Sequence, residues 1–214
     1  MAKLLFDLNQ PVQYGMSFFP GDPVPLIDPA EGVEPPWRVT QLHLGTHTGT
    51  HIDAASHFIP HGLTIDHYPL SRFLLQGMVV SAGNLAEDEA IPADLFTEML
   101  ASMPEGGALL IQTGWDKFWG QERYLHHPYL SEQCVRVMSA APISLVGIDA
   151  LNVDSTHRKT THAHQHLLGN DILIVENLAR LNQLTPGMIY SFSFLPLLLP
   201  GLDGSPVRAI AWEE

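Results

Sequence analysis

The chain has 214 residues, enough for one sizeable hydrophobic core, and 45% of them are apolar. Ten basic residues against twenty-three acidic ones leave a formal charge of −13. That balance argues against nucleic acid and against an anionic membrane surface, both of which need clustered cations. The single cysteine, Cys134, excludes an intramolecular disulfide and fits a reducing compartment.

In chain order, residues 1–7 carry no apolar h-region of a signal peptide. Short runs of β-branched and apolar residues, bounded by Gly, Pro and Asp, predict strands at 4–8, 39–44, 77–82, 108–113, 144–148, 172–175, 188–194 and 207–212. The Pro- and Gly-rich stretch 20–36 has little apolar periodicity and is expected to be an irregular loop, a place where function often resides. A helix is predicted over 92–103, with Pro92 at its first position and Leu95, Phe96, Met99, Leu100 and Met103 as its buried stripe. A second is predicted over 131–140, burying Cys134, and a short third over 161–168, stopped by Gly169-Asn170. The most apolar stretch, 194–202, is broken by Pro196 and Pro200 and is too short to span a bilayer. Eight strands and three helices describe one sheet-dominated α/β domain over residues 1–214, with a cytoplasmic location expected.

The run from His47 to His57 puts three imidazoles and one carboxylate, Asp53, into eleven residues. His47, His51, Asp53 and His57 have the same parity, so a locally extended backbone sends all four to one face. Gly45 and Gly49 share that parity and are expected to leave gaps where an ion could sit. Neutral imidazole plus carboxylate is a donor set suited to Zn²⁺ or a similar divalent ion. Packed together without a cation, these groups would leave many polar atoms short of partners.

The twelve histidines fall into three clusters: six from His43 to His67, the pair His126-His127, and four from His157 to His166. The last cluster precedes an apolar run ending in Glu176, which reads either as a strand-end functional group or as the first solvated residue of a loop. His162 and His166 share one helix face while His164 points away, and the residues alone leave open which side meets the site. His126 and His127 are expected at the surface or on a pocket wall, and Ser205 in a turn. No His-Glu-x-x-His helix, Gly-x-Ser-x-Gly elbow or Cys-x-x-Cys pair is present.

The spacing His47-x3-His51-x-Asp53-x3-His57 resembles the signature of the cyclase-type metal hydrolases, a family that includes bacterial kynurenine formamidases and isatin hydrolases. Phe19-Pro20-Gly21-Asp22-Pro23 is similar to that family's N-terminal loop. The block from Thr113 to Gly120 with His127-Pro128, then Val146–Asp149, His164-Gln165, Glu176-Asn177-Leu178 and 204–208, follow in the family's order over most of the chain. The resemblance implies a mixed sheet closing into a barrel-like core with flanking helices, of the swivelling β/β/α type. It further implies that His47, His51 and Asp53 bind one divalent ion, that His164 binds a second, and that Asp53 and Glu176 are shared. His57 is then the catalytic acid–base, with Phe19 or Phe18 against an aromatic substrate. The implied cofactor is Zn²⁺, or Mn²⁺, at two ions per chain, and the implied assembly a homodimer or larger homo-oligomer. Phe19 stands where kynurenine formamidases carry Trp, and Ala55 where the family favours Pro. The expected activity is hydrolysis of N-formylkynurenine or a related aryl formamide by metal-activated water. Its rivals are a hydrolase of isatin-type cyclic amides or other small amides and esters, and a non-catalytic metal-binding protein, which would have no need of a free base at His57.

Overall fold

The computed structural model describes residues 4–213. The chain forms strands β1 (Leu5–Asp7), β2 (Leu26–Pro29), β3 (Thr40–His43), β4 (His51–Asp53), β5 (Leu74–Ser81), β6 (Ala90–Ile91) and β7 (Gly107–Gln112). These are followed by β8 (Tyr129–Leu130), β9 (Ile143–Ile148), β10 (Leu173–Glu176), β11 (Ile189–Ser193), β12 (Gly204–Pro206) and β13 (Ile210–Trp212). The α-helices are α1 (Thr97–Leu100), α2 (Glu132–Ser139) and α3 (His162–Gly169). Nine strands make one mixed sheet in the order β1-β13-β11-β5-β7-β9-β10-β4-β12, curled as a half-barrel.

The four central strands, β5, β7, β9 and β10, run parallel and read as near-continuous apolar runs because both of their faces are covered. Alternation divides the core cleanly. Leu109, Ile111, Val146, Ile148 and Ile174 pack with Cys134, Val135 and Met138 of α2 and Leu167 of α3. Leu110, Leu145, Leu173, Val175 and Ile52 face the other way, toward Tyr190, Phe192 and Phe194. Gly147 is needed where the second core closes, since a Cβ there would run into the side chains of Leu110 and Leu178. Ser131 caps α2 by accepting the Cys134 N–H at 3.1 Å.

Three expectations need correction. The helix expected over 92–103 is a 3-10 turn, Ala93–Phe96, followed by the single turn of α1, and Pro92 stands outside it in extended geometry. The stretch 20–36 is not wholly irregular, because β2 pairs with β3 as an exposed hairpin held by backbone hydrogen bonds, which leave no apolar pattern to read. Ser205 lies not in a turn but in β12, where its buried hydroxyl accepts the Leu197 N–H at 2.9 Å and donates to the Pro206 carbonyl at 2.8 Å. Among the described residues, no helix is long and apolar enough to cross a membrane.

Candidate metal centre

β4 lies between β10 and β12, antiparallel to both, in a register that sets Glu176 opposite His51 and Gly204 opposite Asp53. His51, Asp53 and Glu176 therefore share one face of the sheet, and all three are buried. Gly204 makes room for the cluster: a Cβ there would sit 2.8 Å from the Ile52 carbonyl oxygen and 2.9 Å from Cε1 of His47. Alternation accounts only for His51 and Asp53. A turn with Gly49 at φ +66° returns His47 to the same side, and a 3-10 turn, Ala55–His57, brings the His57 ring to 4.0 Å from that of His47. Gly45 and Gly49 are not gaps for an ion; added Cβ atoms would meet Pro23 and Val12 instead. From α3, His164 enters the cluster buried, whereas His162 faces the Leu130 carbonyl at 2.8 Å and His166 is exposed.

Outer partners fix which nitrogen each ring presents. His51 donates Nδ1–H to the Gly49 carbonyl at 2.8 Å, and this leaves Nε2 facing Asp53 Oδ1 at 3.3 Å and Glu176 Oε2 at 3.6 Å. His164 donates Nδ1–H to Asp154 Oδ2 at 2.9 Å, leaving Nε2 at 3.4 Å from Asp53 Oδ2 and 3.5 Å from Glu176 Oε1. Each buried carboxylate thus turns its two oxygens toward different imidazoles. In neutral rings these Nε2 atoms carry lone pairs aimed at anionic oxygens, a repulsion that a proton or a cation must relieve. Asp53 Oδ2 has no hydrogen-bond partner among the described residues. An orphaned anionic oxygen among imidazole lone pairs fits a divalent cation well.

The electrostatics agree. Burial disfavours a charged His164, yet Asp154, Asp53 and Glu176 raise its pKa to about 10. Burial likewise opposes a charged His47, but Asp53 and the hydrogen-bonded Asp203 lift it to about 10. Burial and the Asp53 charge push Glu176 up to about 7. Asp53 itself is held well below the carboxylate range, because His47 and His51 outweigh its burial.

Two acidic residues absent from the sequence-based site belong to its frame. Asp154 also accepts the backbone N–H groups of Ala163 and His164, so it ties the start of α3 to the ring that α3 delivers. It lies too far ahead of the helix for a capping pattern to reveal it. Asp203 Oδ2 sits 3.1 Å from His47 Nε2 and 3.3 Å from His57 Nδ1, and Oδ1 accepts the Thr46 hydroxyl at 3.0 Å. Nothing local in the sequence marks it. Replacing Asp154 by Asn is expected to weaken metal affinity by about 10- to 100-fold with the fold intact, as loss of an outer partner does. Competition against a chromophoric chelator measures this, and an unchanged affinity contradicts it.

A cavity of about 530 Å³ opens onto this cluster, lined by His47, His57, Phe58, Phe19 and the loop from Leu151 to Thr161 among others. Phe19 lines the cavity, whereas Phe18, half-buried, does not. His127 is fully enclosed rather than at the surface or on the wall. Its ring bonds to the Pro128 carbonyl at 2.9 Å and Thr156 Oγ1 at 2.8 Å, and burial pushes its pKa down to about 4.

A family model described as "Putative cyclase" matches residues 6–155. Kynurenine formamidase of Paracidovorax citrulli (strain AAC00-1) is 31% identical over 218 residues, covering 97% of this chain and 96% of that protein. A structure described as a potential metal-dependent hydrolase with cyclase activity superposes with a TM-score of 0.81 at 25% identity, over 100% of this chain and 99% of that one. An isatin hydrolase bound to the product analogue thioisatinate gives a TM-score of 0.87 at 22% identity, over 99% and 92% of the two chains.

Proposed function

The chain belongs to the cyclase family, and from that membership we propose that it is a metal-dependent amidohydrolase acting on an aryl formamide of the N-formylkynurenine class. One observation carries the reading: buried Asp53 divides its oxygens among three imidazoles and buried Glu176 between two, at 2.8–3.6 Å. His47, His51 and Asp53 would hold one ion, and His164 a second, with Asp53 and Glu176 common to both. Bound there, Zn²⁺ or Mn²⁺ supplies Lewis acidity, polarising a carbonyl and lowering the pKa of water, to about 7 for zinc.

The protein's own groups do the rest. His57 lines the cavity, Asp203 engages its Nδ1, and its Nε2 has no partner among the described residues. That nitrogen would take a proton from the attacking water and pass it to the departing aniline nitrogen. Phe19 supplies an aromatic wall, and Lys159 on the facing loop offers a cation to a substrate carboxylate. A cyclic amide of the isatin type is the second reading; the close superposition on an isatin hydrolase and Phe19 in the place of an indole favour it.

The test is a rate comparison on N-formylkynurenine and isatin, using protein of known metal content before and after exhaustive chelation. Turnover of the formamide that vanishes on chelation and returns with Zn²⁺ or Mn²⁺ is the expected result. Preference for isatin selects the second reading. Stoichiometric metal with no turnover of any amide or ester would leave only a metal-binding protein.

A further inference from the structure

A second group of metal-ligating side chains lies outside the centre and shares no residue with it. Donor atoms of Asp88, His126 and His157 all fall within 4.8 Å of one another. His126 Nδ1 is 3.0 Å from Asp88 Oδ2, and the His126 and His157 rings are 5.4 Å apart. Asp88 Oδ1 is buried and has no hydrogen-bond partner among the described residues.

The backbone around these groups is already set. Asp88, at φ +53°, donates its N–H to the His126 carbonyl at 2.9 Å, while Tyr129 N–H donates to the Glu89 carbonyl at 3.1 Å. One step further on, β6 and β8 pair in parallel. On the other side, buried His127 accepts the Thr156 hydroxyl at 2.8 Å, which anchors the residue next to His157. Adjacent anchors on both arms therefore hold the three side chains at a common point.

We propose that Asp88, His126 and His157 form a second divalent-cation site, of Zn²⁺ type, that pins the cavity-wall loop to the β6–β8 corner. Two imidazoles and one carboxylate match zinc's preferences and leave a fourth position for water. With bonds of 2.0–2.1 Å, tetrahedral ligand atoms stand about 3.3 Å apart, close to the present His126–Asp88 separation. His157 is exposed, so rotation of its side chain closes the remaining distance. The loop so fixed carries Asn152, Ser155, Thr156 and Lys159 of the cavity wall. An ion here would thus set the stiffness of the wall that faces the substrate.

Equilibrium dialysis of the whole protein against buffered Zn²⁺, followed by elemental analysis, tests this. The His157→Gln protein is expected to bind one equivalent fewer than wild type, and Asp88→Asn the same, since Asn tolerates a positive φ. In wild type alone, added Zn²⁺ should slow amide exchange across residues 152–161. Equal zinc content in wild type and His157→Gln would overturn the proposal. So would loss of every equivalent in that variant, which would assign His157 to the central cluster. His157 is a surface side chain, so this arm holds even where Asp88→Asn fails to fold.

Discussion

Asparagine in place of Asp53 is expected to strip the purified protein of the metal equivalents of this centre and to lower kcat by at least about a thousandfold. Asp53 is fully buried, and no other described residue touches three imidazoles: Oδ1 lies 2.8 Å from His47 Nδ1 and 3.3 Å from His51 Nε2, while Oδ2 lies 3.4 Å from His164 Nε2. Asparagine has the same shape, and β10 and β12 hold the strand on both sides, so the fold should persist. What changes is chemistry: the charge disappears, and an N–H₂ group replaces one of the two acceptor oxygens. An amide cannot draw a cation between His51 and His164, nor offset the mutual repulsion of cations placed beside one another. The effect should exceed that of Asp154→Asn, which only reorients His164. Metal content by elemental analysis and an unaltered far-ultraviolet spectrum decide the matter. Full metal occupancy in Asp53→Asn would remove this residue from the ligand set.

Much of this centre is legible in the sequence because His47, His51, Asp53 and His57 lie within eleven residues. Parity explains less of their convergence than it promises. β4 is only three residues long, and the outer two histidines arrive through a glycine turn and a 3-10 turn, which residue spacing does not encode. Glu176 and His164 are visible by type, but their place opposite β4 is a matter of sheet register, and register follows from strand pairing across more than a hundred residues. Asp203, 156 positions from His47, has no local signature at all. The fold shows the same division. The buried parallel strands β7, β9 and β10 announce themselves as apolar runs, whereas β12, reading Gly-Ser-Pro, and the exposed hairpin β2–β3 are held by partners rather than by pattern.

Removing the His57 ring, as alanine, is expected to reduce kcat by roughly 10²- to 10⁴-fold while metal content stays at the wild-type level. The ring lies 4.0 Å from that of His47, tilted by 33°, and shares Asp203 with it, yet His47 keeps its own 3.1 Å contact to Asp203 when His57 is gone. The other proposed ligands therefore lose no support. The loss should fall on kcat more than on KM, because a proton donor to the leaving nitrogen acts in the transition state and not in substrate binding. Added imidazole should restore part of the rate by occupying the vacated space, a rescue that a purely structural role would not give. A different result is well defined. Donor atoms of His47, Asp53 and His57 lie within 4.8 Å of one another, so His57 also has the geometry of a ligand. If His57→Ala loses metal in step with activity, and excess Zn²⁺ restores both, the residue is a ligand and the proton must come from elsewhere on the cavity wall.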